Sequence, residues 1–147
     1  MDLKYSRHFE DRETARAAGK RIDISFKDAV VICDKVRGML LNDAIELLDE
    51  VSLLKRSIPF RRFNIGIGHR KKAEDFKIGK YPQKASRQIR YVLVNARNNA
   101  EEKGMETDDL KIIHVQALKG MKRKEIKAKA SGRRWYKQFV HIQVIVG

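Results

Sequence analysis

The chain contains little cysteine, proline or tryptophan. Its 147 residues include one cysteine, two prolines and one tryptophan. A single cysteine excludes an internal disulfide and a cysteine-based zinc site. Cys33 lies in an apolar run with Val30, Val31, Ile32 and Val36, which predicts a buried, unreactive thiol. A reducing, cytoplasmic setting fits this cysteine content.

Long hydrophobic runs are missing as well. No apolar run approaches the roughly 18 residues that a membrane-spanning helix needs. The first residues, MDLKYSRHFEDRE, contain no apolar segment of the kind found in signal peptides. The helical patterns also lack the basic and aromatic faces of an interfacial membrane anchor. We therefore expect no membrane partner.

Negative charge is scarce relative to positive charge. The chain has 33 Lys and Arg against 19 Asp and Glu, a formal net charge of +14, and an isoelectric point near 10.1. Such an excess produces a positive field that favours polyanionic partners, above all nucleic acid. The length predicts one domain with a hydrophobic core of its own.

The hydrophobic pattern of the first third predicts a strand followed by two helices. Residues 15–24 alternate towards their end and predict the strand. Ser25 predicts the N-cap of a helix that ends at Gly38. Asn42 or Asp43 is expected to cap the second helix. We expect the two helices to pack together as a helical hairpin. The apolar stripe of the second helix consists of Ala44, Leu47, Leu48, Val51 and Leu54.

A third helix and a β-hairpin are predicted in the rest of the chain. Pro82 is expected at the first position of the longest helix, which Gly104 ends. Its buried face consists of Ala85, Ile89, Val92, Leu93, Ala96 and Ala100. Apolar runs at 110–118 and 139–146 predict two paired strands, each with one buried face. These faces consist of Ile113, Val115 and Ala117 in the first strand and Val140, Ile142, Val144 and Val146 in the second.

The predicted fold class is therefore α+β. Three helices pack on a small antiparallel three-stranded sheet from which one long β-hairpin protrudes. The whole chain, 1–147, is expected to be a single domain. Its globular part covers about 12–118 and 139–147, and its extended hairpin covers about 119–138.

Two segments hold 18 of the 33 Lys and Arg residues. The first, 55–80, is irregular and rich in glycine and aromatic residues, which predicts a functional loop lying against phosphates. A flexible solvated loop is the alternative. The second, 119–137, lies between the two predicted strands and cannot bury its charges. We expect it to project towards an anion. The cations from these segments that we expect at the anion are Arg61, Arg62, Arg70, Lys71, Lys72, Lys80, Lys119, Lys122, Arg123, Lys124, Lys127, Lys129, Arg133 and Arg134.

RNA is favoured over duplex DNA. The sequence contains no helix-turn-helix, basic zipper or zinc finger, and aromatic residues among cations suit unstacked RNA bases. Phe60, Phe63 and Trp135 are the candidate stacking residues. Trp135 has an equal alternative, which is packing against the partner strand of the hairpin.

Histidines and carboxylates give little support for catalysis. His8, His69, His114 and His141 lack the spacing of metal ligands. We expect His114 and His141 to face each other across the hairpin as a structural pair. An enzyme that acts on RNA would need a pocket joining one of them to a carboxylate. We therefore expect no enzyme activity, no cofactor and no metal.

Several short motifs resemble one known family. They occur in the same order along nearly the whole chain: Arg37-Gly38-Met39, Pro59-Phe60-Arg61-Arg62-Phe63-Asn64, Gly68-His69-Arg70, Gly79-Lys80-Tyr81-Pro82, Asn95-Ala96-Arg97-Asn98-Asn99 and His141-Ile142. This series is similar to the L22 family of large-ribosomal-subunit proteins, in its archaeal and eukaryotic form. The chain ends at Gly147 without the eukaryotic tail, which favours the archaeal form.

The resemblance implies a structural protein of the cytoplasmic ribosome whose hairpin lines the nascent-peptide exit tunnel. The implied partners are large-subunit ribosomal RNA, neighbouring ribosomal proteins and the nascent polypeptide at the hairpin tip. The residues that it places against RNA are Arg61, Arg62, His69, Arg70 and Lys84, with Lys122, Arg123, Lys124, Lys127, Lys129, Arg133 and Arg134 along the hairpin. It places Ala130, Ser131 and Gly132 at the tip.

This sequence departs from the family pattern near the tip. The return from Arg133 to the His141-Ile142 pair is shorter than usual, and Lys127-Ala-Lys129 lacks the usual proline. We therefore expect a shortened hairpin. The alternative to a ribosomal protein is a free-standing architectural protein that inserts the hairpin into a groove of RNA or DNA.

Overall fold

The computed structural model describes Tyr5 and residues 13–67, 76–126 and 134–147. These residues form three helices and five strands. In chain order they are β1 (Ala15–Ile22), α1 (Phe26–Val36), α2 (Leu41–Ser52), β2 (Ile58–Pro59), β3 (Gly79–Lys80), α3 (Gln83–Glu102), β4 (Ile112–Ile126) and β5 (Arg134–Val146).

The main sheet has three antiparallel strands in the order β1-β5-β4. The predicted α+β class and three-stranded antiparallel sheet are confirmed. A second sheet of two strands, β2 and β3, pairs Ile58 with Lys80 and Pro59 with Gly79. This second sheet lies inside the segment predicted to be irregular. Its strands of two residues are too short to show an alternating hydrophobic pattern in the sequence.

The central strand β5 is buried on both faces. Val140, Ile142, Val144 and Val146 join the hydrophobic core as predicted. The intervening side chains His141, Gln143 and Ile145 are also buried, so the prediction of a single buried face is wrong. The two neighbouring strands cover only the edges of β5, so burial of its faces depends on elements packed across the sheet, among them α1 and α3.

Strand β4 alternates differently from the prediction because its register shifts between Ile112 and His114. Ile112 and Val115 are buried, whereas Ile113 and Ala117 are only half-buried. The register also corrects the expected histidine pair. His114 lies opposite Ile145, while His141 lies opposite Leu118.

The first helix begins and ends as predicted. The Ser25 side chain accepts a hydrogen bond from the Asp28 N–H at 3.4 Å, and Gly38 follows the helix with a φ of +79°. The second helix begins earlier than predicted, at Leu41, and its N-cap Leu40 makes no side-chain hydrogen bond. Leu54 lies beyond its end and is 53% exposed, so the buried stripe stops before it.

The two short helices do not form the predicted helical hairpin. Helix α1 packs on β4, whereas α2 packs on α3. Helix α3 in turn packs on β1 and β5. All six residues predicted for its buried face are buried. Pro82 is its N-cap rather than its first helical residue, and Gly104 follows its end with a φ of +73°.

The predicted burial of Cys33 is confirmed. The side chain is 2% exposed, and desolvation raises its pKa to about 12. A thiol with so high a pKa carries almost no nucleophilic thiolate at neutral pH. Separately, no helix in the described part of the chain has the length and apolar character needed to cross a membrane.

Candidate nucleic-acid interface

Strands β4 and β5 continue past the core as a two-stranded arm, defined here as residues 122–126 paired with residues 134–138. Lys122 pairs with Gln138, and the ladder runs outward from this pair to Ile126 and Arg134. A register shift between Lys119 and Lys122 marks the point where the arm leaves the body. Most arm residues are exposed, in contrast to the buried inner half of β5.

The two faces of the arm carry different sets of side chains. Residues directly opposite each other in an antiparallel pair share a face, and successive residues alternate between faces. One face therefore combines Lys122, Lys124 and Arg134 with Ile126, Tyr136 and Gln138. The other combines Arg123 and Lys137, which lie directly opposite each other, with Glu125 and Trp135. Both faces are basic, and each carries one aromatic ring.

A second basic site lies beside α1. A concave surface of about 410 Å³ is lined by Val31, Asp34, Lys35, Pro59, Arg61 and Arg62. Arg62 lies 3.0 Å from the Asp34 carboxylate, which also pairs with Arg37 at 3.4 Å. The Arg61 guanidinium lies 6.0 Å from the centre of the Phe76 ring. Both predicted arginines are exposed, although an anion at Arg62 would have to compete with the Asp34 carboxylate.

A third site joins the base of the arm to the start of α1. This concavity of about 690 Å³, called the groove below, is lined by Asp23, Ile24, Ser25, Phe26, Lys27, Phe63, Lys84, Lys119, Trp135, Tyr136, Lys137 and Gln138. It brings together four predicted site residues that are far apart in the sequence: Phe63, Lys84, Lys119 and Trp135. Its other cations and aromatic residues were not predicted.

The groove holds four lysines and one carboxylate. Lys84 and Lys137 place their Nζ atoms 2.6 Å and 2.9 Å from Oδ2 of Asp23. Hydrogen bonds from Lys84 and then Lys137 hold the pKa of Asp23 below its usual value. The other two lysines lie beside rings: Lys119 Nζ is 5.1 Å from the centre of Phe26, and Lys27 Nζ is 5.8 Å from the centre of Phe63. The groove is therefore positive and lined with aromatic rings.

Phe60 differs from the other predicted stacking residues. Its side chain is fully buried, and Lys80 Nζ lies 4.7 Å from the ring centre. A ring inside the core offers no face to a base, so Phe60 is a core residue rather than a stacking residue. Lys80 also pairs with Asp28 at 3.5 Å and its side chain is only 26% exposed, so an anion would have to compete with these contacts.

Several predicted site residues lie outside the described residues. They are His69, Arg70, Lys71, Lys72, Lys127, Lys129, Arg133 and the three tip residues Ala130, Ser131 and Gly132. Their roles stay predictions.

His141 has a structural role. Its Nδ1 atom accepts a hydrogen bond from the Arg21 N–H at 3.1 Å, and its side chain is 9% exposed. In the described part of the chain, no three His, Cys, Asp or Glu side chains are grouped closely enough to hold a metal ion. The lysines and exposed rings of the groove, and the exposed cations of the arm, are suited to holding an anion and a flat ring.

Known proteins that are similar to this chain identify its family. A family model described as Ribosomal protein L22p/L17e matches residues 17–147. The chain is 40% identical over 146 residues to the large ribosomal subunit protein uL22 of Methanocaldococcus jannaschii, covering 98% of this chain and 94% of that protein. It is 41% identical over 138 residues to the uL22 protein of Sulfolobus acidocaldarius, covering 90% and 88%. The resemblance seen in the motifs is confirmed, and the chain belongs to the ribosomal protein L22p/L17e family.

Proposed function

We propose that the chain is a structural constituent of the large ribosomal subunit that binds large-subunit ribosomal RNA through its arm, its groove and the site of Arg61 and Arg62. Family membership gives the location, which is the large subunit of the cytoplasmic ribosome. We further propose that the chain is one domain, that the hairpin lines the nascent-peptide exit tunnel, and that the chain has no catalytic activity.

The arm is the observation that carries the RNA-binding proposal. Lys122, Arg123, Lys124 and Arg134 are exposed on a hairpin that continues two strands of the core. Within the described residues, none of these four cations forms an ion pair. Neighbouring like charges on a narrow ladder destabilise it, whereas binding to phosphates neutralises them and releases counterions. Such an arm is suited to a partner with closely spaced negative charges.

The first experiment follows the native protein through ribosome purification at increasing salt. We expect the chain to sediment with large subunits at moderate salt and to dissociate only at high salt, because phosphate contacts weaken steeply with ionic strength. Recovery of the whole pool in the post-ribosomal supernatant would overturn the proposal. That result would favour the free-standing architectural protein instead.

A charge-matched pair of variants isolates the contribution of the arm. Replacing Lys122 and Lys124 by Ala removes two positive charges from one arm face. The control replaces Lys55 and Arg56, two exposed cations after α2. We expect the arm variant to leave large subunits at clearly lower salt than the control. Equal behaviour would mean that net charge alone, rather than the arm, sets the affinity.

The tunnel proposal needs a separate test because it concerns the nascent chain. Cys33 is buried, so a cysteine introduced by Ser131→Cys would be the reactive thiol. In ribosomes with a stalled nascent chain, we expect a thiol crosslinker at this position to capture that chain. The control is Tyr91→Cys, at an exposed position of α3. Absence of a crosslink for nascent chains of every length would contradict tunnel lining and leave RNA binding untouched.

A further inference from the structure

We propose that the groove between the base of the arm and the start of α1 binds one unpaired nucleotide of an RNA. The base lies against the Trp135 and Phe63 rings, and the phosphate lies among the groove lysines. This inference rests on the proposed function, because it assigns a specific ligand to one part of the RNA-binding surface.

The aromatic residues of the groove are placed for contact with a base. Phe63 and Trp135 are each 41% exposed, and Tyr136 is 56% exposed. Phe63 and Trp135 come from segments about seventy residues apart in the sequence, yet both line one concave surface, whereas the Tyr136 side chain lies on the opposite face of the arm from Trp135. Exposed rings grouped in this way provide a stacking surface for unpaired bases, since every base has a flat π-face.

The backbone of Phe63 supports a functional role for its ring. Phe63 has a φ of +56°, in the left-handed region that bulky L-residues rarely adopt. A residue held in this region costs free energy, and its partly exposed ring regains little of that cost by burial. Such residues cluster at sites where a side chain must be held in place for a ligand. Here the strained conformation presents the ring to the groove.

The charges of the groove are suited to a phosphate. Lys27, Lys84, Lys119 and Lys137 line it together with one carboxylate, that of Asp23, which gives a formal excess of three positive charges. Helix α1 also begins at the groove, because its N-cap Ser25 is one of the lining residues. The N–H groups of the first turn other than that of Asp28, which Ser25 caps, and the positive end of the helix dipole add to the attraction for an anion.

The groove has room for a single nucleotide. It is an open concavity of about 690 Å³, large enough to receive a base, a sugar and a phosphate. A base that is paired and stacked inside a duplex has no free face to offer the rings. An unpaired nucleotide, turned out of its helix, satisfies both the rings and the lysines. We therefore assign the groove to a bulged or looped-out position of the RNA.

Trp135 provides a direct measurement, because it is the only tryptophan in the chain. The full chain is titrated with three RNA hairpins of equal length. One has a single unpaired nucleotide in its stem, one carries an abasic residue at that position, and one is fully paired. We expect the hairpin with the unpaired nucleotide to quench Trp135 fluorescence by stacking. It should also bind about tenfold more tightly than the abasic hairpin.

The variant Phe63→Ala tests the second ring, with Tyr91→Ala as the control at an exposed aromatic position outside the groove. We expect Phe63→Ala to lose most of the preference for the unpaired nucleotide over the abasic hairpin, while Tyr91→Ala keeps it. Phe63→Leu retains apolar volume and provides a second variant if Phe63→Ala fails to fold. An equal loss of affinity for all three hairpins would overturn the nucleotide site.

The outcomes separate this inference from the proposed function. Equal binding and equal quenching by the three hairpins would overturn the nucleotide site, yet it would agree with general binding to RNA phosphates. Failure to bind any RNA at low salt, together with absence from large subunits in the sedimentation experiment, would overturn both. Tight binding of the unpaired nucleotide with quenching, lost in Phe63→Ala, would establish the site.

Discussion

The backbone N–H of Arg21 donates a hydrogen bond to Nδ1 of His141, with a distance of 3.1 Å between the two nitrogens. Arg21 has a φ of +54° and lies where the β1–β5 register shifts between Gly19 and Ile22. On the other side of the same imidazole, strand β4 changes register between Lys119 and Lys122. His141 thus lies between two irregularities at the level where the arm leaves the body.

Gly120 lies so close to His141 that a larger residue does not fit. A Cβ atom built at this position would lie 2.8 Å from Nε2 of His141 and 3.1 Å from the backbone oxygen of Phe139. We expect Gly120→Ala to lower the free energy of unfolding by about 1–3 kcal/mol, since an overpacked side chain forces its neighbours to move. Urea unfolding of the full chain measures the change.

The control for Gly120→Ala is Lys119→Ala at the neighbouring exposed position, which should leave the stability nearly unchanged. The double variant with His141→Ala gives a further check. It should be less destabilised than the sum of the two single changes, because removing the imidazole relieves part of the clash. Additive effects would show that contact with the imidazole is not the cause.

The double variant Arg61→Ala and Arg62→Ala should weaken RNA binding while leaving stability within about 1 kcal/mol of the parent chain, as expected for exposed ion pairs. Asp34 keeps Arg37 as a partner at 3.4 Å after Arg62 is removed. The salt dependence of RNA affinity should also become shallower, by a slope of about two for two lost phosphate contacts.

Both properties of the Arg61 and Arg62 variant are measurable on one preparation, by RNA titration at several salt concentrations and by thermal unfolding. Removing Lys55 and Arg56 instead changes the net charge equally and should alter the slope less. A large fall in the unfolding temperature of the Arg61 and Arg62 variant would mean that these residues stabilise the fold.

Reversing one charge on the arm should have opposite effects on stability and binding. Arg123 lies directly opposite Lys137, and like charges in this arrangement destabilise a strand pair by about 0.2–1 kcal/mol. Arg123→Glu should therefore raise the free energy of unfolding of the isolated chain slightly and lower its affinity for RNA. Arg123→Gln should lie between the parent chain and Arg123→Glu in both stability and RNA affinity. Loss of both stability and RNA affinity in Arg123→Glu would contradict this account of the arm.

The Asp23 carboxylate should make a small, pH-dependent contribution to stability. Hydrogen bonds from Lys84 and Lys137 hold its folded-state pKa below the usual value of 3.8. Its contribution is therefore present above about pH 4 and is lost as the pH falls through the lowered pKa. Because the carboxylate is exposed, Asp23→Asn should cost less than about 1 kcal/mol at neutral pH. Urea unfolding at several pH values should show this difference vanishing in acid, and a difference that grows in acid would contradict it.

The same substitution should strengthen RNA binding. Asp23→Asn removes the one carboxylate of the groove and frees Lys84 and Lys137 for an anion. The expected gain in affinity is largest at low salt, where electrostatic attraction is least screened. A salt-independent change would indicate an altered shape of the groove instead.

Local sequence patterns correctly predicted regular elements that bury only one face. The buried face of α3 follows a helical period over twenty residues, so all of its predicted core positions are correct. Ser25 and Gly38 act through local capping chemistry that the sequence shows directly. Errors arose where tertiary position decides burial, as at Phe60 in the core and at the second buried face of β5.

The groove shows why the candidate site was only partly predictable. Local composition predicted Phe63, Lys119 and Trp135 as site residues, and the family resemblance predicted Lys84. Nothing in the spacing between these four residues indicates that they meet. The fold brings them together because β5 and β1 are neighbours in the sheet, which sets the base of the arm beside the turn that precedes α1. Asp23 lies in that turn and Lys27 lies at that helix start, so only the topology identifies them as site residues.

Strand β5 is a single uninterrupted element from Arg134 to Val146, and this continuity fixes which arm side chains point in which direction. Its inner half is buried between two neighbours, so its pairing cannot slip without exposing the core. One extra residue inserted next to Phe139 would therefore turn the outer half of β5 over. Tyr136 would then no longer share a face with Lys124, and Trp135 would no longer share a face with Arg123. The sheet thus sets the rotational orientation of an arm whose own sequence could pair in more than one way.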